Sequence, residues 1–346
     1  MSLQNNVKKE VKMKKIGIII VIVIIGISVG GCQRQLRKPE QFEKVTIGIS
    51  ATSLLASLVH IAEERGYFLE EGIDVEIKGY PTGKAALAAT LSGEVDMGTV
   101  ADTPIVSNSF ERNDFAIVVT IINSAQHSKA LARKDSNINT PQDLVGKKVA
   151  TTVGTTAHYF MAVFFILNKL DISDVEIVNL KPGEMVEAIV NGDVDAIFAW
   201  EPNILKATKS LGDNAVILPS DVGYEATFNL VTMNDYIGNN PELIRKVIKA
   251  LAKAEEFITN NREESIKIIA LRLKIDRDYM DKIWDGYRFG IFLSQTLILT
   301  LEDVARWSIR NNFTDKTEVP NYLDYIYMDA LEEVKPEAVT IMQGGH

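Results

Sequence analysis

The sequence predicts an α/β protein of two similar lobes, each a mixed sheet flanked by helices. Residues 147–202 have the pattern of strand, helix, strand, helix and strand, and residues 44–104 have the same order roughly a hundred positions earlier. Near the end of each stretch, GEVD at 93–96 matches GDVD at 192–195 in residue type. Two copies indicate paired lobes rather than a solenoid, although βα units resemble one another in any α/β protein.

In the first stretch, short β-branched segments alternate with longer helical ones. The predicted strands cover 45–50, 75–77 and 96–100, and the predicted helices cover 54–65 and 82–91. Another strand is expected at 115–122. We expect the chain to cross to the second lobe near 130–135, just before a capped turn that opens with Thr140 and Pro141.

The second stretch repeats this order. The predicted strands cover 147–153, 175–179 and 196–200, and the predicted helices cover 157–170 and 182–190. Asn191-Gly192 is a typical helix C-terminus. A β-rich segment at 225–233 is predicted to be the strand that crosses back.

The carboxy-terminal part is predicted to be helical. The residues from 241 to 258 form a long amphipathic pattern, and further helices are expected at 263–271, 276–284, 301–311 and 321–334. We expect these helices to have no strand partners and to pack around the sheet of the first lobe. Two crossings between the lobes would form a hinge that opens and closes.

The amino terminus has the features of an export signal. Several lysines precede an apolar run at 16–29, and Gly30-Gly31-Cys32 follows it. The run is shorter than the ~20 residues of a spanning helix, although an uncleaved single anchor is the alternative. We therefore expect a signal peptide at 1–32, a tether at 33–43, a first lobe at 44–130 plus 235–346, and a second lobe at 131–234.

Composition excludes several function classes. The net charge is −9, and no basic stripe with interleaved aromatic residues occurs, so a nucleic-acid partner is not expected. No histidine pair has metal-binding spacing, and neither a GxSxG elbow nor a phosphate-binding loop is present. We therefore expect no catalytic residues, metal or cofactor, and a monomeric protein.

The candidate binding residues follow the carboxyl ends of predicted strands, where open parallel sheets bind ligands. They are Ser50, Thr52, Ser53, Asp102, Thr103, Gly154, Thr155, Thr156, Ala157, His158, Trp200 and Glu201, with Tyr224 added as a possible cover. Two of these loops are small, hydroxyl-rich turns that lead into helix starts. Such starts favour an anion, although ordinary N-capping is the alternative for each.

The two carboxylates complicate this interpretation. Asp102 and Glu201 would repel an anion unless the ligand also carries a positive group, and Trp200 and Tyr224 could cover an apolar or cationic part. Alternatively, these carboxylates bond hinge backbone or an arginine, and His158 packs a helix rather than donating to a ligand. The loops together predict a small zwitterion, or an anion with an amine end.

Several motifs resemble one family of proteins. The segments that carry the resemblance are Gly66-Tyr67-Phe68, EGIDV at 71–75, GEVD at 93–96, DTP at 102–104, LVGKKV at 144–149, GTTAH at 154–158, GDVDA at 192–196 and WEP at 200–202. They resemble the substrate-binding proteins of ABC importers for nitrate, sulfonates, taurine and thiamine-pyrimidine precursors. VGGC at 29–32 resembles the lipobox of bacterial lipoproteins, in which the cysteine, here Cys32, receives the lipid.

This resemblance implies a two-lobed, periplasmic-binding-protein-like fold of type II that closes on its solute and docks on a membrane permease. It implies a lipid-anchored protein on the extracytoplasmic side of the membrane that binds a sulfonate or taurine-like solute. Glu201 and Thr103 depart from the pattern of sulfonate binders and leave the solute open. The alternatives are a pyrimidine or other heteroaromatic ligand, held by Trp200 and Tyr224, and a cofactor-biosynthesis enzyme on the same fold.

Overall fold

The computed structural model describes residues 42–51 and 53–342. The predicted signal peptide with Cys32, nearly all of the predicted tether, and the candidate residue Thr52 lie outside the described residues. Within these ranges, no helix combines the length and apolar character needed to cross a membrane.

Six strands form the first sheet, in the order β11-β4-β10-β3-β1-β2. They are β1 (Glu43–Ser50), β2 (Ile73–Tyr80), β3 (Met97–Ala101), β4 (Phe115–Ser124), β10 (Ala226–Met233) and β11 (Arg288–Phe292). Strand β1 pairs in parallel with β2 and β3, whereas β10 is antiparallel to β3 and β4. The carboxyl ends of β1 and β3 therefore meet at one edge.

Five strands form the second sheet, in the order β7-β6-β8-β5-β9. They are β5 (Ser128–Arg133), β6 (Lys148–Thr151), β7 (Glu176–Asn179), β8 (Ala196–Trp200) and β9 (Ala215–Ile217). Here β6 is parallel to β7 and β8, and β5 is antiparallel to β8 and β9. The two-sheet α/β architecture predicted from the sequence is confirmed.

The chain passes between the sheets twice. It leaves the first sheet after Ser124 and enters the second at Ser128, a few residues before the predicted crossing. It returns between Ile217 and Ala226. Strand β10 lies within the range predicted for the second lobe, but it pairs with β3 and β4 of the first sheet. Nearly the whole strand is buried, as its position between two neighbouring strands requires.

Thirteen α-helices lie within the described ranges. They are α1 (Ser57–Glu64), α2 (Tyr67–Glu70), α3 (Gly83–Leu91), α4 (Asp102–Ser109), α5 (Thr156–Leu167), α6 (Pro182–Asn191), α7 (Asn203–Leu211), α8 (Asn234–Asn239), α9 (Pro241–Asn260), α10 (Arg262–Leu273), α11 (Arg277–Trp284), α12 (Gln295–Arg310) and α13 (Asp329–Val334). Short 3₁₀ turns precede α1 at Leu54–Ala56 and form the predicted capped turn at Pro141–Leu144.

The secondary structure predicted after residue 202 was wrong in three places. Helix α7 was missed, although its apolar face buries Ile204 and Ala207. Strand β11 was missed, and it gives the carboxy-terminal part a strand pairing with β4. The predicted helix at 321–334 is broken: it begins as a 3₁₀ turn, and the Tyr325 hydroxyl donates to the backbone oxygens of Ser109 and Arg112. These side-chain anchors pull the segment out of regular helix.

The two sheets have separate cores that meet at α5. A large apolar cluster surrounds the first sheet and includes α9 and α12, while two smaller clusters cover the faces of the second sheet. Tyr159 of α5 belongs to the first cluster, with its ring centroid 4.8 Å from that of Tyr224 and 5.2 Å from that of Trp307. Helix α5 thus packs on both cores.

Three histidines are buried and neutral. Burial lowers the pKa of His60 to about 4, with help from the positive charge of Arg272. Burial, with the charge of Lys129 as the smaller cause, lowers the pKa of His127 to about 3, and burial alone lowers that of His158 to about 4. Within the described part of the chain, neither ring nitrogen of His60 has a hydrogen-bond partner. Protonating this ring would place an unpaired charge in the core.

We therefore expect acid to destabilise the protein. A folded-state pKa below the unfolded value of 6.5 gives stability that is complete above pH 6.5 and is lost as pH falls toward 4. Each such histidine adds a slope approaching about 1.4 kcal/mol per pH unit. In urea denaturation from pH 7 to pH 4.5, His60→Phe should show a shallower decline of the unfolding free energy than the wild type. Equal slopes would mean that His60 accepts a proton without cost.

Candidate functional site

A small cavity lies where the carboxyl ends of β1 and β3 face the carboxyl end of β8. Its volume is about 30 Å³. Both sheets and their following helices contribute to its wall. The lining residues are Ser50, Leu55, Thr82, Gly83, Lys84, Ala101, Pro104, His127, Thr155, Thr156 and Trp200.

Two helix starts face this cavity. Thr82 precedes α3, and its hydroxyl caps the helix by accepting from the Ala85 N–H at 3.2 Å. Thr155 precedes α5, and its hydroxyl donates to the Thr152 carbonyl at 2.7 Å. The first N–H groups of a helix lack acceptors within the helix, and the helix dipole places partial positive charge there. The cavity wall therefore favours negative charge.

Lys84 adds a full positive charge to this wall. Among the described residues that line the cavity, it is the one charged side chain. It belongs to the first lobe, yet its Nζ lies 3.1 Å from the point where a Cβ on Gly154 of the second lobe would stand. Gly154 has φ +75°, a left-handed conformation that glycine adopts without strain. Because Gly154 has no side chain, the Lys84 ammonium has room to lie beside it.

An apolar and aromatic wall completes the cavity. Leu55, Pro104 and the rings of Trp200 and His127 form it. The His127 and Trp200 rings are nearly parallel, with centroids 6.3 Å apart. His127 is buried, and its Nδ1 is 3.1 Å from the Tyr287 hydroxyl. An anionic head group with a compact apolar part matches these surroundings.

Asp102 is a structural carboxylate. It is fully buried, and its Oδ1 accepts from the Tyr224 hydroxyl at 2.7 Å and from both the N–H and the hydroxyl of Thr103. Its Oδ2 accepts from the Thr227 N–H at 3.0 Å, at the start of the returning strand β10. Burial raises the pKa of Asp102, and these hydrogen bonds oppose that shift. Asp102 therefore bonds the backbone of a crossing between the sheets, as the alternative to a ligand contact predicted.

Glu201 is also occupied within the protein. Its Oε1 accepts from Lys129 Nζ at 2.9 Å, and its Oε2 accepts from the Leu205 N–H at 3.1 Å. The Glu201 residue is fully buried and does not line the cavity. Glu201 also raises the pKa of Tyr279, after burial, through its charge and a hydrogen bond. Both predicted carboxylates thus stand outside the cavity wall.

Of the other predicted site residues, four line the cavity: Ser50, Thr155, Thr156 and Trp200. Six more do not line it: Ser53, Thr103, Gly154, Ala157, His158 and Tyr224. The Ser53 hydroxyl caps the Leu54–Ala56 turn, and Ala157 is buried in α5. His158 packs against Trp307 and Phe313, with ring centroids 5.1 and 5.0 Å away, as the packing alternative proposed.

Sequence reasoning missed seven of the lining residues: Leu55, Thr82, Gly83, Lys84, Ala101, Pro104 and His127. Thr82-Gly83, like Thr155-Thr156, is a small hydroxyl-bearing turn at a helix start, so the same reasoning applied to a third helix would have found it. His127 gave no such signal. It lies in the crossing between β4 and β5, and only the three-dimensional fold brings this crossing to the cavity. Among the described residues, no cluster of three or more His, Cys, Asp or Glu side chains could hold a metal ion.

Comparison with known proteins identifies the family. The model of the family described as NMT1/THI5 like matches residues 57–265, more than half of the chain. The chain belongs to the NMT1/THI5-like family. One of its relatives is a putative aliphatic sulfonates-binding protein of Bacillus subtilis. The two proteins are 24% identical over 330 residues, which cover 93% of this chain and 98% of that protein. The taurine-binding periplasmic protein of Escherichia coli is 26% identical over 196 residues, which cover 55% and 60% of the two chains.

Solved structures share the fold of this NMT1/THI5-like protein. The periplasmic aliphatic sulphonate binding protein of Escherichia coli superposes with a TM-score of 0.70 at 20% identity, over 82% of this chain and 97% of that one. The periplasmic nitrate-binding protein of Synechocystis superposes with a TM-score of 0.67 at 16% identity, over 86% and 89% of the two chains. The predicted periplasmic-binding-protein-like fold is therefore confirmed.

The contact between Gly154 and Lys84 gives a test of the cavity. Gly154→Ala should cost about 1–2 kcal/mol of unfolding free energy because of its left-handed backbone, and its Cβ should also displace the Lys84 ammonium from its present position. Gly146→Ala is the matched control, with φ +76° and open space around its Cβ position. In urea denaturation, we expect Gly154→Ala and Gly146→Ala to lower the unfolding free energy equally. Calorimetry with ethanesulfonate should show a two- to fivefold weaker affinity for Gly154→Ala alone, and equal affinities would argue against Lys84 as a contact.

Proposed function

We propose that this protein is the extracytoplasmic solute-binding component of an ABC importer and that it captures a small organic anion of the sulfonate class between its two lobes. The cavity carries this proposal. Two helix starts and Lys84 supply positive potential, and Trp200, Leu55 and Pro104 supply an apolar surface for a short carbon chain. The sulfonate-binding and taurine-binding proteins among its relatives support the same solute class.

The contacts of the two carboxylates refine the solute class. A zwitterion such as taurine needs a partner for its ammonium group, but Asp102 and Glu201 accept hydrogen bonds from protein groups and do not line the cavity. The described lining therefore favours an alkanesulfonate without an amine. A heteroaromatic solute has weaker support, because the Tyr224 hydroxyl bonds Asp102 and only Trp200 of the expected pair lines the cavity.

Ethanesulfonate and taurine form a matched pair of ligands, since they differ by one amine. We expect calorimetry to show that ethanesulfonate binds and that taurine binds no more tightly. Ethylamine should not bind, and nitrate should bind more weakly because it leaves the apolar wall uncovered. Tighter binding of taurine than of ethanesulfonate would contradict the preference for a solute without an amine. If no sulfonate bound detectably, the proposed solute class would be wrong.

We also propose that residues 1–31 are removed and that Cys32 is lipidated, which would leave the protein tethered on the outer side of the cell membrane, beside its permease. The motif VGGC at 29–32 and the preceding basic and apolar residues support this proposal. Cys32→Ser should move the protein from the membrane fraction to the soluble extracytoplasmic fraction. An unchanged membrane fraction would contradict the lipid anchor.

The enzyme alternative predicts a different location. A cofactor-biosynthesis enzyme would work in the cytoplasm and would carry no export signal, so the same fractionation separates the two functions. Retention of the chain inside the cell would favour the enzyme.

A further inference from the structure

His127 is the least expected side chain in the cavity wall. It is 3% exposed, and it lies where the chain first crosses between the sheets. Phe228 packs edge-on against its ring with centroids 4.8 Å apart, and Trp200 lies parallel to it. Most buried polar side-chain atoms have a hydrogen-bond partner, so the surroundings of each ring nitrogen matter. Its two nitrogens have different surroundings.

The Nδ1 atom is engaged by protein. It lies 3.1 Å from the Tyr287 hydroxyl, at hydrogen-bond distance, and the tautomer of the ring decides which of the two groups donates. Burial and the negative charge of Glu201 raise the pKa of Tyr287, so this hydroxyl keeps its proton. Glu201 itself accepts from Lys129 and from the Leu205 N–H. Among the described residues, His127 Nδ1 is the hydrogen-bond partner that the structure gives the Tyr287 hydroxyl.

The Nε2 atom is the ring nitrogen that Tyr287 does not engage, and His127 lines the cavity. Among the described residues, no protein group forms a hydrogen bond with Nε2, and Nε2 is not one of the fully buried atoms without a partner, whereas both nitrogens of His60 are. Its chemistry depends on the tautomer. If Tyr287 donates to Nδ1, the single proton of the neutral ring lies on Nε2 and the cavity gains a donor. In the other tautomer, Nε2 presents a lone pair that would repel an anion.

We propose that Tyr287 holds His127 in the Nε2–H tautomer and that His127 Nε2–H donates a hydrogen bond to an anionic oxygen of the solute. Tyr287 is then a positioning residue, and His127 determines specificity for an oxyanion. This inference rests on the proposed function for the identity of the solute, but the tautomer can be tested without any solute. The charged groups near the ring are Lys129, which lies beside it in sequence, and Glu201, which lies close to Tyr287.

The tautomer is measured first, by NMR of the solute-free protein labelled with ¹⁵N-histidine. We expect a protonated Nε2 and an unprotonated Nδ1 for His127, assigned by the loss of its signals in His127→Gln. Tyr287→Phe should move these shifts toward a mixture of tautomers. Tyr322→Phe, which removes another buried tyrosine hydroxyl in the first lobe, should leave them unchanged. A proton on Nδ1 in the wild type would overturn the inference.

Solute binding is measured second, by calorimetry with ethanesulfonate. His127→Phe keeps a flat ring beside Trp200 but has no donor, and it should weaken binding about 10- to 100-fold. His127→Gln keeps an N–H donor and should weaken binding much less. Equal affinity of the wild type and His127→Phe would overturn the inference and leave the sulfonate proposal intact. If the wild type binds no sulfonate but shows the Nε2–H tautomer, the proposed sulfonate class is wrong, whereas the assignment of His127 Nε2–H as a donor is retained.

Discussion

The first N–H groups of a helix have no acceptor inside that helix, and this constraint shapes the site. The parallel strands β1 and β3 end at one edge of the first sheet, and β8 ends opposite them in the second. The starts of α3 and α5 follow nearby and face the same small space. A ligand with negative oxygens satisfies donors from both lobes at once, whereas water or a cation satisfies them less well.

The acidic residues show how the same region keeps its positive character. Asp102 joins the end of β3 to the start of β10 through Tyr224 and Thr227, so its hydrogen bonds stabilise the return crossing. Glu201 is paired with Lys129 at the other crossing. Each carboxylate thus has compensating partners of its own, and neither presents bare negative charge to the cavity. A buried acid near a binding site is here part of the hinge.

Much of the fold was predictable because local signals determine it. The alternation of β-branched and helical segments located β1, β3, β6 and β8, and the repeated GEVD and GDVD turns indicated the two lobes. Short β11 and the broken segment after Asn321 were not predictable, because partners distant in sequence decide them. The site residues, too, were predictable only where local sequence determines their position. Threonines at helix starts can be identified in the sequence, but the roles of His127 and Lys84 depend on which loops the two sheets bring together.

The positions of the tryptophans have a practical consequence. Trp200 lines the cavity, and Trp307 of α12 packs on Tyr159 and His158 of α5, where the two cores meet. Trp284, the third tryptophan in the chain, is buried in the first core. Two natural fluorophores therefore stand where occupancy and lobe closure change their surroundings, and the third adds a constant background. Emission from the unlabelled protein can follow both events in real time.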